Sequence, residues 1–214
     1  MADYTLTQTG SEVQTALDFV GLSANLNTTD KATLVNAINE VLGKTPRVGD
    51  VWITDTNTNP ALDFGGTWVL FDKEFASTPM ADISSAITPN TTNCNSLTAS
   101  AGRTDHSIFF SFSWNNKVTI GTSNKEVGIV ALAQVGCNAL AYTPKILAGA
   151  DDAGGIVLLD MDSSTGRIRS TDSVTESGSA LPANSTIEWT LEIPVHYSDM
   201  IDSFCNKFYW RRTA

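Results

Sequence analysis

Two segments of the chain alternate strictly between apolar and polar residues. In HSIFFSFSW, which begins at His106, one face is apolar throughout and carries Ile108, Phe110, Phe112 and Trp114. In TIEWTLEIPV, which begins at Thr186, the same pattern holds for Ile187, Trp189, Leu191, Ile193 and Val195. Polar residues fill most of the intervening positions, with Phe109 as an aromatic exception. A period of two predicts strands of a sheet that buries one face and solvates the other.

Shorter apolar runs accompany these segments, separated by clusters of glycine, asparagine, aspartate and serine. The pattern predicts roughly eight strands in about 110 residues, with no helix between them. We therefore expect a mainly β fold, with an antiparallel β-sandwich or jelly-roll-like domain over residues 75–214. Within residues 73–105, two prolines and a run of asparagine, threonine and serine predict a loop-rich stretch with one short strand at most.

The first 46 residues follow a helical period instead. A capping box of Thr9 and Glu12 opens the first helix. Two apolar stripes follow at spacings of three and four, with Val13, Leu17 and Val20 in the first helix and Leu34, Ile38 and Val41 in the second. Helices of about three turns are marginal on their own. The stripes therefore either dock on the β domain of the same chain or form a bundle with symmetry-related copies, and we expect residues 1–46 to serve oligomerisation and attachment.

Residues 47–74 have the pattern of a strand, a polar loop and a second strand, and predict a hairpin that acts as an adapter. Trp52 lies in the first strand, and Trp68 opens the second, where it is expected to fill the core of the junction. Gly65 and Gly66 precede Trp68, and glycine adopts backbone angles that are closed to other residues. This hairpin would lead the chain from the helical segment into the β domain.

Composition narrows the classes of function. The chain has 214 residues, of which 42% are hydrophobic, so it can bury a sizeable core. Its net charge is −10, and the only pair of adjacent bases is Arg211 and Arg212, so we expect no nucleic-acid binding. No apolar window approaches the length of a membrane span, and the N-terminus lacks a signal-peptide pattern. We expect synthesis as a soluble product in the cytoplasm and no membrane insertion.

Few residues have a pattern that points to chemistry. Asp160 and Asp162 alternate like ligands of a calcium loop, but the third acid and the distal glutamate are missing, and a strand followed by a turn explains them better. Asp151 and Asp152 are adjacent, so on a strand they would face opposite ways and make a poor pair for glycoside cleavage. No hydrolase elbow, phosphate loop or zinc-protease motif occurs. We expect no cofactor, no catalytic residue and no enzymatic activity, and keep Asp160 and Asp162 as the only metal candidates.

Three short segments carry a family resemblance. TTDKATLVNAINEVLGK, residues 28–44, resembles a helix that recurs near the N-terminus of bacteriophage tail-fibre, head-fibre and other virion appendage proteins. VGDVWITDTNTNPALDFGGTWVLFD, residues 48–72, is similar to a hairpin segment of phage fibre and baseplate proteins, and FYWRRTA, residues 208–214, looks like their C-terminal ending. The three segments occur in the order typical of that family, whereas residues 75–203 resemble no family.

The resemblance implies a structural virion protein of a tailed bacteriophage. It implies a homotrimer whose helical segment attaches to other virion proteins, with Val13, Leu17, Val20, Leu34, Ile38 and Val41 at the threefold seam. It also implies a distal β domain that contacts a glycan or protein of the host surface, as in a fibre or tail-tip component. Two alternatives remain open: a capsid head fibre, decoration or collar protein without a receptor role, and a polysaccharide depolymerase or esterase.

Overall fold

The structure is a computed structural model, and it describes residues 46–121, 124–150, 155–175 and 180–214. The described residues are mainly β, and their strand pairs are antiparallel. The strands are β1 (Val51–Thr54), β2 (Trp68–Phe75), β3 (Thr78–Asp82), β4 (Ile87–Pro89), β5 (Cys94–Thr104), β6 (Ser107–Asn116), β7 (Lys125–Val130), β8 (Lys145–Ala150), β9 (Gly155–Met161), β10 (Arg167–Thr175), β11 (Thr186–Pro194) and β12 (Cys205–Arg212). The helices are α1 (Ala61–Phe64), α2 (Leu132–Val135) and three 3-10 turns, Ser84–Ala86, Tyr197–Asp199 and Asp202–Phe204. Within these ranges no helix is long and apolar enough to cross a membrane.

The larger of two sheets has nine strands in the order β3-β5-β6-β11-β8-β9-β10-β7-β4. Its two ends meet, because the Cys94 thiol in β5 donates to the Val127 carbonyl oxygen in β7 at 2.9 Å. Leu97 of β5 likewise lies so close to Gly128 of β7 that a Cβ there would come within 2.7 Å of its Cδ2 atom. The sheet therefore folds back on itself into two layers, which confirms the predicted mainly β, sandwich-like fold.

The apolar residues of the predicted alternating segments form the centre of the core. Ile108, Phe110, Phe112 and Trp114 are all buried on one face of β6, while the residues between them are partly exposed. The ring of Phe112 stacks on Trp189 of β11 with centroids 4.8 Å apart. Aromatic pairs of this kind add about 0.5–1.5 kcal/mol beyond the area that they bury. The two segments singled out by their period thus pair directly and form the centre of the large sheet.

The prediction of a loop-rich stretch over residues 73–105 with one short strand at most is wrong, because the stretch holds the whole of β3, β4 and β5. β5 is eleven residues long and pairs with β6 from Cys94 opposite Asn116 to Thr104 opposite Ser107. Its sequence, CNSLTASAGRT, is rich in small residues of low strand propensity. These small residues face large ones, since Ala99 lies opposite Phe112. Packing against the aromatic row, a tertiary effect, therefore decides the conformation of β5.

The predicted hairpin over residues 47–74 is also wrong in its pairing. β1 and β2 do not pair with each other, because β12 lies between them in a three-stranded sheet ordered β1-β12-β2. Trp210 of β12 lies opposite Trp52 on one side and opposite Leu70 on the other. The last strand of the chain therefore belongs to the same sheet as the predicted adapter. We call this the small sheet.

Trp68 is buried as predicted, and the close backbone approach predicted for the two glycines occurs at Gly66. Trp68 is buried in a cluster with Phe208 and Trp210, and its indole nitrogen donates to the Gly65 carbonyl oxygen at 2.9 Å. Gly65 and Gly66 have φ values of 62° and 77°. A Cβ on Gly66 would lie 2.5 Å from the carbonyl oxygen of Ala214, so the close backbone approach requires glycine there.

A buried lysine fastens the small sheet to the segment between β11 and β12. The Lys73 ammonium group donates to the Met200 carbonyl oxygen at 2.7 Å and to the Asp202 carboxylate at 2.8 Å. Asn57 donates to the other oxygen of the same carboxylate at 2.6 Å. Burial raises the pKa of Asp202, but the hydrogen bonds from Lys73 and Asn57 outweigh it, so the pKa lies below its ordinary value. The loop of residues 55–60 is thereby tied to the same junction.

The helical segment of residues 1–45 lies outside the described residues. Its predicted interface residues, Val13, Leu17, Val20, Leu34, Ile38 and Val41, lie outside them with it. The predicted seam therefore stays a prediction.

Candidate functional site

A groove runs along the outer face of β3, β5, β6 and β11, on the side opposite the core. Cross-strand pairing builds it in three rows. The rows contain Thr98, Ser113 and Glu188; Asp82, Ser100, Ser111 and Thr190; and Gly102, Phe109 and Glu192, with Met80 of β3 beside Gly102 where the register of β3 shifts. We call this surface the outer-face groove. It consists of two concavities of about 530 and 600 Å³ that share Thr190.

The first concavity is polar. Its floor carries short hydroxyl side chains, with Ser111 between Ser100 and Thr190 in directly opposed positions. At the rim, one carboxylate oxygen of Asp82 accepts hydrogen bonds from the hydroxyl and the backbone amide of Ser84, at 2.5 and 3.0 Å. These bonds, the hydroxyl first, hold the pKa of Asp82 below its ordinary value. The carboxylate is therefore fixed in orientation and ionised at neutral pH.

The second concavity is more apolar. Phe109 lies opposite Gly102, which offers no side chain, and the exposed Met80 borders the same space. A Cβ on Gly102 would come within 2.9 Å of the Thr78 carbonyl oxygen and 3.0 Å of the Met80 amide nitrogen. The absence of a side chain thus lets β3 lie close to β5 and leaves the Phe109 ring beside the glycine. An apolar ring surface next to hydroxyl groups suits amphipathic ligands such as sugars.

Two carboxylates in the groove have no hydrogen-bond or ion-pair partner among the described residues. They belong to Glu188 and Glu192, which are both exposed and lie on the same face of β11 with Thr190 between them. Four strand residues span about 13 Å, which is the length of two or three sugar rings. Free carboxylates accept hydrogen bonds from ligand hydroxyl or ammonium groups. The groove therefore combines acceptors, hydroxyl groups and an aromatic ring along one line.

The metal candidates from the sequence already have partners within the chain. Asp160 accepts two hydrogen bonds from the Arg169 guanidinium group, at 3.0 and 3.3 Å. Asp162 closes the turn between β9 and β10: it accepts from the Ser164 hydroxyl, the Ser164 amide and the Thr165 amide at 2.8, 3.0 and 2.8 Å. These bonds, that of the Ser164 hydroxyl first, place the pKa of Asp162 well below its ordinary value. The favoured prediction for these residues, a strand followed by a turn, is confirmed.

Other groups with potential chemistry are scattered. Asp151 and Asp152 lie outside the described residues. His106 contacts Asp72 at 3.1 Å, while His196 contacts Ser198 at 2.8 Å. Within the described ranges no three His, Cys, Asp or Glu side chains are grouped closely enough to hold a metal ion.

The three cysteines are free thiols. Burial raises the pKa of Cys94 to about 11 and that of Cys137 to about 12. Burial also raises the pKa of Cys205. Reactive cysteines have lowered pKa values in electropositive, accessible surroundings, so these thiols have the character of structural residues.

Sequence reasoning did not identify the outer-face groove. Its residues come from four strands, and their neighbours depend on long-range register. One signal was present in the sequence: Phe109 is the aromatic residue on the otherwise polar face of β6. An aromatic at a solvated position marks a surface on which a ligand can stack.

Comparison with known proteins adds no further assignment. Searches against protein-family models and against curated proteins find no match to this chain. Its function is therefore inferred from its own residues and their geometry.

Proposed function

We propose that the chain is a non-enzymatic structural protein in the virion of a tailed bacteriophage, a trimeric fibre or tail-tip component that contacts the host surface. The observation that supports it most is the small sheet. Two of the three segments that resemble virion appendage proteins, residues 48–72 and 208–214, are far apart in sequence yet build this one sheet. A resemblance shared by two segments that fold together is more specific than a resemblance in either alone.

The trimer has a physical basis in the helical segment. Two short amphipathic helices gain stability when three copies share one apolar core. A trimer also multiplies weak receptor contacts through effective concentration. Light scattering tests this part: the wild-type chain is expected to be trimeric, and Leu17→Asp or Ile38→Asp is expected to dissociate it because each buries a charge without a partner. A mutant that stays trimeric contradicts the proposed seam.

The outer-face groove supplies the host contact in this proposal. Its hydroxyl groups, free carboxylates and Phe109 ring suit a surface glycan that carries both hydroxyl and apolar faces. The three acidic side chains of the groove, Asp82, Glu188 and Glu192, favour neutral or amine-bearing sugars over acidic ones, since like charges repel. The whole chain is acidic as well, with a net charge of −10.

A printed array of bacterial surface glycans tests the host contact. Wild-type protein is expected to bind a subset of the sugars, and both Phe109→Ala and Glu192→Gln are expected to weaken this binding about tenfold or more, through loss of stacking and of an acceptor. Leu147→Ala is the matched control, because Leu147 is exposed on β8 outside the groove. Equal binding by all variants would remove the groove from the proposal.

Electron micrographs of labelled particles distinguish the proposed function from the first alternative, a capsid protein. Label at the tail or baseplate supports the proposal, whereas label on the capsid favours a head fibre, decoration or collar protein. Release of reducing ends or acetate from host polysaccharide would instead favour the depolymerase or esterase. We expect neither product, because His196, which contacts the Ser198 hydroxyl at 2.8 Å, has no carboxylate partner among the described residues to orient it as a base.

A further inference from the structure

The small sheet has one covered face and one uncovered face. The covered face carries Trp68, Phe208 and Trp210. On the other face, Val51 of β1, Arg211 of β12 and Val69 of β2 form one cross-strand row. The side chains of Val51, Ile53 and Val69 are 46, 51 and 50% exposed. We call Val51, Ile53, Val69 and Phe71 the apolar face of the small sheet.

Three exposed hydrophobic residues lie together on this face. Of the nine large hydrophobic side chains that are exposed among the described residues, Val51, Ile53 and Val69 share it, whereas Trp52 lies opposite Trp210 on the covered face. Single exposed hydrophobic residues need no explanation, whereas a contiguous group marks an interaction site.

The charge pattern is unusual for a solvated surface. The Arg211 guanidinium group lies 4.7 Å from the centroid of the Phe71 ring and has no carboxylate partner among the described residues. The exposed carboxylates of Asp50 and Asp55 flank β1 at its two ends. Arg211 thus lies at the centre of this face, and Asp50 and Asp55 lie at its β1 edge. These opposite charges are complementary when the face of one copy meets the β1 edge of the next.

Residues 46–49 lead the chain into the small sheet beside this face. Pro46 is buried, and its carbonyl oxygen accepts a hydrogen bond from the Arg212 guanidinium group. The Gly49 amide donates to the Arg212 carbonyl oxygen at 2.8 Å, which fixes the chain just before Val51. Only five residues, 43–47, separate Leu42 of the predicted second helix from Val48, so a fully extended chain spans about 20 Å over these six steps. If the helical segments of three copies share one axis, as the proposed trimer requires, the three copies of the apolar face therefore lie close to that axis.

We propose that the apolar face of the small sheet is a subunit contact, covered by a second copy of this chain. This inference rests on the trimer of the proposed function and extends its interface from the helical segment into the β structure. Burial of Val51, Ile53 and Val69 contributes the hydrophobic effect, at about 25 cal/mol per Å² of apolar surface removed from water. The edge strand β1 is covered by the same contact, which protects its unpaired backbone groups from nonspecific pairing.

Cysteine labelling of the full chain tests the contact. Ile53→Cys is compared with Leu147→Cys, a control at a β8 position that is 74% exposed. Each variant is treated with a maleimide, and its mass in solution is measured by light scattering. In the trimer, Ile53→Cys is expected to react about tenfold or more slowly than Leu147→Cys, because interface cores exclude solvent. The native thiols contribute little background, since burial raises their pKa values.

A monomeric variant gives the labelling rate at position 53 when no second copy covers it. Adding Ile38→Asp to Ile53→Cys is expected to give a monomer in which the new thiol reacts as fast as the Leu147→Cys control. Fast labelling of Ile53→Cys in an intact trimer overturns this inference and leaves the proposed trimer standing. A wild-type monomer overturns both. If Ile38→Asp stays trimeric and Ile53→Cys stays protected, the sheet contact is supported and the helical seam is removed from the proposed function.

Discussion

Gly66→Ala is expected to destabilise the protein by about 2–4 kcal/mol. A left-handed backbone costs a residue with a Cβ about 1–2 kcal/mol relative to glycine, and Gly66 has a φ of 77°. The new Cβ would also lie 2.5 Å from the Ala214 carbonyl oxygen and 2.8 Å from the Arg212 Nε atom. If the C-terminus moves away to relieve this overlap, the Thr67 amide loses its 2.7 Å hydrogen bond to the same oxygen, at a cost of about 1 kcal/mol.

Thermal or urea unfolding measures this loss, with Gly121→Ala as the control. Gly121 has no positive φ, and the nearest atom to its added Cβ is 3.9 Å away. The control is therefore expected to stay within about 0.5 kcal/mol of wild type. For a chain of this size, a loss of 2–4 kcal/mol lowers the Tm by roughly 4–16 °C. A Gly66→Ala protein as stable as the control would refute the close approach between residue 66 and the C-terminus.

Three further predictions concern groups away from the outer-face groove. Cys94 and Cys137 are expected to stay unlabelled by iodoacetamide at pH 8 until the protein unfolds, since a rise of the Cys94 pKa from 9.0 to about 11 lowers its thiolate fraction about 100-fold. Asp162→Ala is expected to cost about 1 kcal/mol by freeing two turn amides, and added calcium is expected to leave the wild-type Tm unchanged. Because folding lowers the pKa of this carboxyl, its stabilising effect is full above the unfolded-state pKa of about 3.9 and is lost as the pH falls through the folded-state value. Lys73→Met is expected to cost about 1–3 kcal/mol, as the buried Met200 carbonyl oxygen loses its donor. Lys207→Met at the exposed pair with Glu74 is expected to cost less, and equal losses in urea unfolding would contradict the assigned burial.

Features with a local cause could be predicted from the sequence. The alternation of β6 and β11 follows from one buried face, and the turn at Asp162 follows from a side chain that bonds to its own backbone. Gly65 and Gly66 were identified for the same kind of reason, since their positive φ values are local properties. In each case the physical cause lies within a few residues of the signal.

Features set by long-range register could not be predicted in this way. β5 has a weak strand pattern of its own and is stabilised by the aromatic residues of β6 opposite it. The outer-face groove depends on the same register, because only pairing places Gly102 beside Phe109 and Ser111 beside Thr190. A shift of one residue in either pair would turn the opposed side chains to the other face. The site therefore became visible only with the topology.

The position of β12 has a consequence for the order of folding. In the described residues β1 and β2 have no sheet partner other than β12, so Trp52 and Trp68 lack their cross-strand neighbours until residues 205–212 have been made. No residue of β12 pairs with a strand of the large sheet. A chain ending at Phe204 is therefore expected to be cut rapidly by protease within residues 47–74, while the paired strands β5, β6 and β11 resist cleavage. If residues 47–74 stay protected in that chain, β1 and β2 hold a stable structure without β12, and the small sheet does not depend on its last strand.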